Sequence, residues 1–579
     1  MAASAPASGS AHRRHPSGPR RRRRGLIAWC AAVAAGVLVG TGACSDLPHN
    51  SGSAAPKNSS GGHTYYVSAS GDDANSGTSS KNAWKTLARA DQAKYKAGDW
   101  LLLRGGDRFT GTLSLGPGEA GNPTLPTVVA SYGKGGRATI AAAGTDGISV
   151  YNTAGVVIRD LVLVGDPAAY ASQTGISFFT DLPGAVKLEH AVVQHVDVSS
   201  FKTAVSAGST TTSGFRDVQV TNSVLHGNHE AGLVTYGMPY DDAAPAYSNE
   251  QVVVTGVEVY DSAGDPTARD RHTGDGIVLG SVRGGVIRSS SAHDNGTHAS
   301  ADSLFGPEGI WTYDSTGMLI EHNTSYRNHT GSNVDGGGFG MDVNVSASTM
   351  QYNLSFQNDG PGFLVYTSRG NTAQTGDIVR FNISSNDARK LPWDAGIEAH
   401  GTAVHDLQIY QNTVVMTSEG AQPAPALRLR KGLAGTSIRN NILITDGTAP
   451  AVVSDVGYGP DAVAMQGNNY FTGTSSTGLV SWGGNTLDAL DAWRSADKQE
   501  LLNGRATGLA VDPCLAGGPA PVVSGPNDAG VMVPICPAVD GKGVDLKALG
   551  VAPSVLVDYY GKPLAVPPVI GVSNPAVKK

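Results

Sequence analysis

Five short stretches of the chain open with a small residue and an apolar one, and then continue into chemically loaded side chains. They read Gly309-Ile310-Trp311-Thr312-Tyr313, Gly338-Phe339-Gly340-Met341-Asp342, Gly362-Phe363-Leu364-Val365-Tyr366, Gly396-Ile397-Glu398-Ala399-His400 and Ala426-Leu427-Arg428-Leu429-Arg430. Side chains of an extended segment alternate between two faces, so with the apolar residue inward the next one points out. The outward sets are then Trp311 and Tyr313, Gly340 and Asp342, Leu364 and Tyr366, Glu398 and His400, Arg428 and Arg430. A merely solvated face would carry Lys, Thr, Ser and Asn instead. Aromatic rings stack on sugars, carboxylates serve as acid and base, and guanidinium groups pair bidentately with uronate or sulfate. The strip therefore suits cleavage of a polysaccharide, with Asp342 and Glu398 as the carboxylate pair. The same residues without chemistry would form a surface ion ladder, Glu398 pairing with Arg428 one segment away.

Further candidates lie beside the strip. Asp335 precedes three glycines, where Asp is also a favoured turn former. His272, in Arg271-His272-Thr273-Gly274-Asp275-Gly276, is either a general base or the anchor of a loop. Trp393, in Lys390-Leu391-Pro392-Trp393-Asp394, offers another stacking ring. No metal site is expected, because the acids are scattered and neither an EF-hand spacing nor a Cys/His cluster occurs.

The elements that must position these residues are read from a repeat. Asn222, Gly256, Ser289, Asn323, Asn353, Asn382, Asn412 and Asn441 recur at gaps of 34, 33, 34, 30, 29, 30 and 29 residues. A fixed period in that range marks a solenoid. The strands within each unit are short, β-branched and split by Gly, Asn and Ser turns, with no helical period. This predicts an all-β, single-stranded right-handed parallel β-helix with one coil per repeat. Inward Ile310, Phe363, Ile397 and Leu427 would form one continuous core, and the asparagines an amide ladder. With coils stacked at about 4.8 Å, attachment points of Asp342 and Glu398 two coils apart are roughly 9–10 Å from each other. That suits an inverting pair of carboxylates, which needs about 6.5–9.5 Å. Extra length in 238–250, 265–273 and 297–307 predicts loops walling a groove on one face.

The organisation expected along the chain is a signal peptide over 1–43, a flexible tether over 44–62, an N-terminal cap and first strands over 63–138, coils over 139–473 and a C-terminal cap over 474–579. Short helices are expected within Trp84–Lys94 and Asn485–Glu500. Arg20 to Arg24 form a basic head before an apolar run from Gly25 to Gly40, too short for a comfortable membrane span. Arg23-Arg24-Gly25-Leu26-Ile27 resembles a twin-arginine core, and Thr41-Gly42-Ala43-Cys44 resembles a lipobox, which implies lipidation of Cys44. Cleavage by an ordinary signal peptidase is the alternative; either route leads out of the cytoplasm. Seven of the 42 bases and none of the 49 acids fall in residues 1–43, which leaves the remainder at −14 and argues against a nucleic-acid partner. Cys514 and Cys536, 22 residues apart in an exported chain, suggest one disulfide.

The opening "YYVSASGDDANSGT…AWKTLARA…GDWLLLRGGDRFTGTL" and the ending "PAVDGKGVDL…VDYYGKPLAVPPVIG" resemble the end segments of pectate-lyase-like, right-handed β-helix proteins of exported bacterial carbohydrate-active families. The stretch "GPEGIWTYDS…VDGGGFGMDVN" resembles a block of those proteins that reads DGGGFDLD, with Gly340 where the middle Asp is expected. The resemblance implies a monomeric glycoside hydrolase acting on a polysaccharide, with Asp342 and Glu398 as acid and base, His400 and Asp335 assisting, and Trp311, Tyr313, Tyr366, Trp393, His272, Arg428 and Arg430 holding the sugar. A lyase or uronan epimerase is the alternative, with Tyr366 or His400 taking a proton, an Arg neutralising the uronate, and Ca²⁺ as the metal that lyases of this fold often use. A non-catalytic glycan-binding β-helix is the third reading.

Overall fold

A computed structural model describes residues 58–576, apart from 143, 167–172, 371–373, 392, 419–421, 474–476 and 552–556. The signal peptide, Cys44 and most of the tether lie outside the described residues. The chain winds into a parallel β-helix whose strands belong to three long sheets of 15, 14 and 13 strands. Each coil contributes one strand to each sheet, and neighbours in a sheet are separated in sequence by a whole coil. Parallel pairing begins at Thr64–Val67, which lies against Trp100–Arg104, so residues 63–138 already supply strands to the same sheets. The main core is a column of apolar side chains, Leu101, Ile140, Ile158, Val220, Ile277, Ile310, Phe363, Ile397 and Leu427 among them.

The amide ladder runs from Asn323 through Asn353, Asn382, Asn412 and Asn441 to Asn468. Each side chain donates to the next at 2.9–3.1 Å. Each side-chain oxygen also accepts the backbone N–H of the preceding rung, at 2.9–3.0 Å. Glu500 ends the ladder by accepting from Asn468 Nδ2 at 2.8 Å, Tyr470 Oη at 2.6 Å and the Gly467 N–H at 2.6 Å. In the earlier coils the rung is Ser223, Val257 and Ser290, one residue after the positions the repeat assigned to it: Ser223 Oγ accepts from Val196 N–H and Ser290 Oγ from Val257 N–H. Asn222, Gly256 and Ser289 instead take the left-handed turn conformation before the rung, at φ 48°, 64° and 48°, as His322 and Tyr352 do in later coils. Asn and Gly tolerate that region best, which is why they mimic the rung in sequence. A second ladder, five residues downstream, links Asn295, Asn328 and Asn358 and ends on Asp387.

The expected helices are shorter than their sequence patterns, spanning Leu87–Asp91 and Leu490–Asp497. Asn485–Leu487 forms a strand antiparallel to Val480–Trp482. Cys514 and Cys536 are joined, with Cα atoms 5.7 Å apart. Leu515, Val523 and Met532 within the loop they close, and Val539 and Ile570 after it, pack on the outer side of the 13-stranded sheet, over Phe356, Ile383, Val415 and Ile444. Among the described residues no helix is long and apolar enough to cross a membrane.

Candidate functional site

The outward strip exists in the expected register. Trp311, Gly340, Leu364, Glu398 and Arg428 are successive partners along the 14-stranded sheet, and Tyr366 stands beside His400 in the adjoining column. The strip is not open surface, however. Trp311 is 4% exposed, Leu364 6% and Glu398 1%, because the segments leading into the strands fold over it.

These segments bring in three carboxylates that strand phase does not reveal, Asp275, Glu308 and Asp394. Asp275 Oδ1 accepts from Trp311 Nε1 at 2.9 Å and from the Glu308 N–H at 3.0 Å. Burial pushes its pKa up to about 6 against the pull of His272. The His272 ring sits 4.8 Å from Trp311 and 5.3 Å from Phe305, and its Nδ1 donates to Gly306 O at 2.7 Å. His272 is thus a loop anchor and also a charge partner of the site. Burial disfavours its cation, but Asp275, Asp335 and Asp342 outweigh that and hold its pKa above the ordinary value.

Asp335 occupies a left-handed turn at φ 56° before Gly336 at 82°, and its Oδ2 accepts the Gly306 N–H at 2.7 Å. Asp342 follows the strand Phe339–Met341, with its N–H on Thr312 O at 2.9 Å and its Oδ1 lacking any hydrogen-bond partner. Burial first, and then the charge of Asp335, raises the Asp342 pKa to about 7. Asp335 is also raised by burial, with His272 and the Gly306 N–H drawing it back. Glu308 is 4% exposed with Oε2 unpartnered, and burial followed by Asp335, Asp342, Asp275 and Asp394 raises it well above a normal carboxyl.

A second group adjoins the first. Glu398 Oε1 lies 2.9 Å from Arg430 Nε and 3.3 Å from His400 Nε2. Neither oxygen meets an aligned donor, so the Arg430 contact is an ion contact, not a directed hydrogen bond. Burial raises Asp394 to about 7 against the pull of Arg430, and burial followed by the charge of Asp394 raises Glu398 well above a normal carboxyl against Arg430 and Arg428. His400 is pushed down to about 3 by burial and by Arg430 and Arg428, so its contact with Glu398 is not an ion pair near neutral pH. Arg430 Nη2 donates to Trp393 O at 2.6 Å, and Arg428 Nη2 to Asp455 Oδ1 at 2.9 Å. The ion ladder of Glu398 with Arg428 is therefore absent; Arg430 takes the contact. Tyr366 packs 4.7 Å from the His400 ring, and Trp393 stands 39% exposed at the edge. Tyr313 covers Gly280 on the neighbouring coil, where a Cβ would lie 2.2 Å from its ring, so it is fixed to the sheet.

The signal for these acids is present in the sequence all the same. Asp275 and Glu308 immediately precede Gly276-Ile277 and Gly309-Ile310, and Asp394 precedes Ala395-Gly396-Ile397, so the corner before the strand recurrently carries an acid. Among the described residues no three His, Cys, Asp or Glu groups are arranged to hold a metal ion. What the site assembles is a carboxyl, Asp342, raised to about 7, in one cluster with Asp335, whose shift His272 and a backbone N–H oppose; such unlike environments are what separate an acid from a base.

No protein-family model matches the chain. It is 24% identical over 459 residues to a lacto-N-biosidase of Bifidobacterium longum subsp. longum, covering 62% of this chain and 28% of that protein. The chain thus spans less than a third of the curated relative it matches. Among solved structures it is similar to a GH136 lacto-N-biosidase from Eubacterium ramulus, at 15% identity and a TM-score of 0.49 over 72% of this chain and 68% of that one. It is also similar to the pectate lyase Pel9A, at 14% identity and a TM-score of 0.37 over 89% and 98%.

Proposed function

We propose that this protein is a glycoside hydrolase acting on a carbohydrate bound against the 14-stranded sheet. The observation that carries the reading is the Asp335–Asp342 pair, two half-buried carboxyls, Asp335 accepting the Gly306 N–H and Asp342 keeping an unpartnered oxygen with its pKa raised to about 7. Asp342 is the general acid that protonates the glycosidic oxygen, and ionised Asp335, steadied by His272 and the Gly306 N–H, is the second carboxylate. Asp335 takes the place of Glu398 as partner, because Glu398 is engaged with Asp394 and Arg430. Tyr366, Trp393, Arg428 and Arg430 line the path of the sugar chain, and Trp311 lies buried beneath it, behind His272. The similarity to a protein named lacto-N-biosidase supports a hydrolase.

The charge balance separates this reading from a lyase. A lyase or epimerase needs a free cation for the uronate carboxylate, whereas Arg430 lies against Glu398 and Asp394, and Arg428 against Asp455. Six buried or half-buried carboxyls surround the site, Asp275, Glu308, Asp335, Asp342, Asp394 and Glu398, so a neutral glycan is the better substrate. The protein works outside the cytoplasm, tethered by a lipid on Cys44, as a monomer.

The test incubates the protein with neutral glycans, including lacto-N-biosidase substrates, and with uronate polymers, with and without Ca²⁺ and chelator. Reducing ends and the absorbance of unsaturated uronate are followed together. New reducing ends without that absorbance are expected, with a loss of roughly 10²–10⁴-fold in Asp342→Asn. Unsaturated product, or full activity in Asp342→Asn, overturns the reading.

A further inference from the structure

Gly340 stands alone as a small residue in a column otherwise built of Trp311, Leu364, Glu398 and Arg428. Its backbone makes no demand for glycine, since it is not among the residues with positive φ. The demand is spatial: a Cβ there would lie 2.1 Å from Glu308 Oε2, 3.0 Å from Glu308 Cδ and 3.1 Å from Trp311 Cβ. Glu308 belongs to the corner of the neighbouring coil and reaches across to fill the gap. It is 4% exposed, and Oε2 has no hydrogen-bond partner. Burying such a group is costly, and packing alone would be better served by an apolar side chain. Its backbone is also pinned, because Asp275 Oδ1 accepts both the Glu308 N–H and Trp311 Nε1.

We propose that Glu308 is a positioning residue, a carboxyl delivered by the neighbouring coil into the gap at Gly340, which completes the acid cluster and tunes the acidity of Asp342. The inference rests on Asp342 being the general acid. Burial is the largest cause of the raised Asp342 pKa, and Glu308 fills the space over position 340, two residues away on the same outward face, so it keeps water from that flank of Asp342. Removing it admits water and lowers the Asp342 pKa. The chain thereby places a carboxyl over position 340 without having an acid at that position in the sequence.

The experiment has two arms. In the first, melting temperatures of the wild type and of Glu308→Ala are each compared with their Asp342→Asn derivatives from pH 4 to 9. The difference between the members of a pair grows with pH until Asp342 ionises in the folded protein. It should level off near pH 7 in the wild-type pair and about one unit lower in the Glu308→Ala pair. Returning a carboxyl from the other side, in Glu308→Ala with Gly340→Asp, should move the midpoint back up, which a lost packing contact would not do. Equal midpoints in the first two pairs, or no recovery in the third, overturn the inference without any reference to activity. The second arm measures reducing-end release from whichever neutral glycan the wild type hydrolyses. A drop of one unit lowers the protonated fraction at pH 7 from about one half to one tenth, so Glu308→Ala should be about fivefold slower there and recover at pH 5.5. If Asp342→Asn stays active, the hydrolase reading has failed; if it is inactive while Glu308→Ala keeps the wild-type pH profile, the role of Glu308 has failed.

Discussion

Replacing Asn382 by Ala tests the ladder that holds the coils in register. Asn382 is fully buried. Its amide oxygen accepts from Asn353 N–H at 3.0 Å and Asn353 Nδ2 at 3.1 Å, and its Nδ2 donates to Met350 O at 3.0 Å and Asn412 Oδ1 at 3.1 Å. After truncation Asn353 Nδ2 still reaches Ile320 O, and Asn412 Oδ1 still accepts the backbone N–H of residue 382. The Asn353 N–H, in contrast, loses its acceptor. A stripped buried donor costs about 1–3 kcal/mol and the three other lost bonds about 1 kcal/mol each, so the whole change comes to about 4–6 kcal/mol. Asn382→Ser should cost about half as much, because a serine hydroxyl at the rung accepts the same N–H, as Ser290 does from Val257 at 3.1 Å. Urea unfolding followed by circular dichroism reads the totals, and hydrogen exchange of the segment containing the Asn353 amide locates the effect. The reasoning is refuted if Ser is as damaging as Ala, or if Ala costs under about 1 kcal/mol with that amide still protected.

Three further outcomes are expected. Gly340→Ala should destabilise by about 1–3 kcal/mol through its contact with Glu308, and combining it with Glu308→Gly should relieve most of the loss in a double-mutant cycle of melting temperatures. Asp342 and Asp394, raised by burial to about 7, favour the folded state most below the unfolded carboxyl pKa and lose that contribution as pH rises through about 7, so Asp342→Asn should gain on the wild type between about pH 4 and 7 in thermal scans. Asp387, raised by burial to about 6, should behave alike over about pH 4 to 6, and Asp387→Asn should flatten that part of the stability curve.

The fold is legible in the sequence because its two signals are independent. Gly followed by an aliphatic residue marks the start of a strand where a side chain would strike the next coil, as a Cβ at Gly309 would strike Ser325 Oγ at 2.0 Å. The Asn rung marks the corner, and together they set the phase that puts Trp311, Gly340, Leu364, Glu398 and Arg428 in one column. What escapes is everything that reaches the strip from its corners. Glu308 and Asp394 lie outside the strands and Asp275 is the first residue of its own, so strand phase says little about where they point. The pairing of Glu398 with Arg430 in place of Arg428 has the same origin, since adjacency in a column does not determine how long side chains lean. The first three rungs fall one residue later than the repeat suggests because in those coils the left-handed corner holds Asn222, Gly256 and Ser289, which mimic a rung, and only hydrogen bonding distinguishes them.

The Asn ladder has a consequence for how such a site can change over evolutionary time. Because each rung bonds the next, the distance between groups on different coils is quantised in steps of about 4.8 Å, and no point substitution within a strand can produce a half-step. Coil length itself is free to vary, since successive rungs are 33, 30, 29, 30, 29 and 27 residues apart while their bonds stay the same. Fine adjustment of a reactive geometry must then come from the corners, whose residues can slide and lengthen without disturbing the stack. In this chain Asp275, Glu308 and Asp394 arrive from those corners, while the strands between them supply fixed points. The lattice acts as a ruler with coarse divisions, and the corners serve as its vernier.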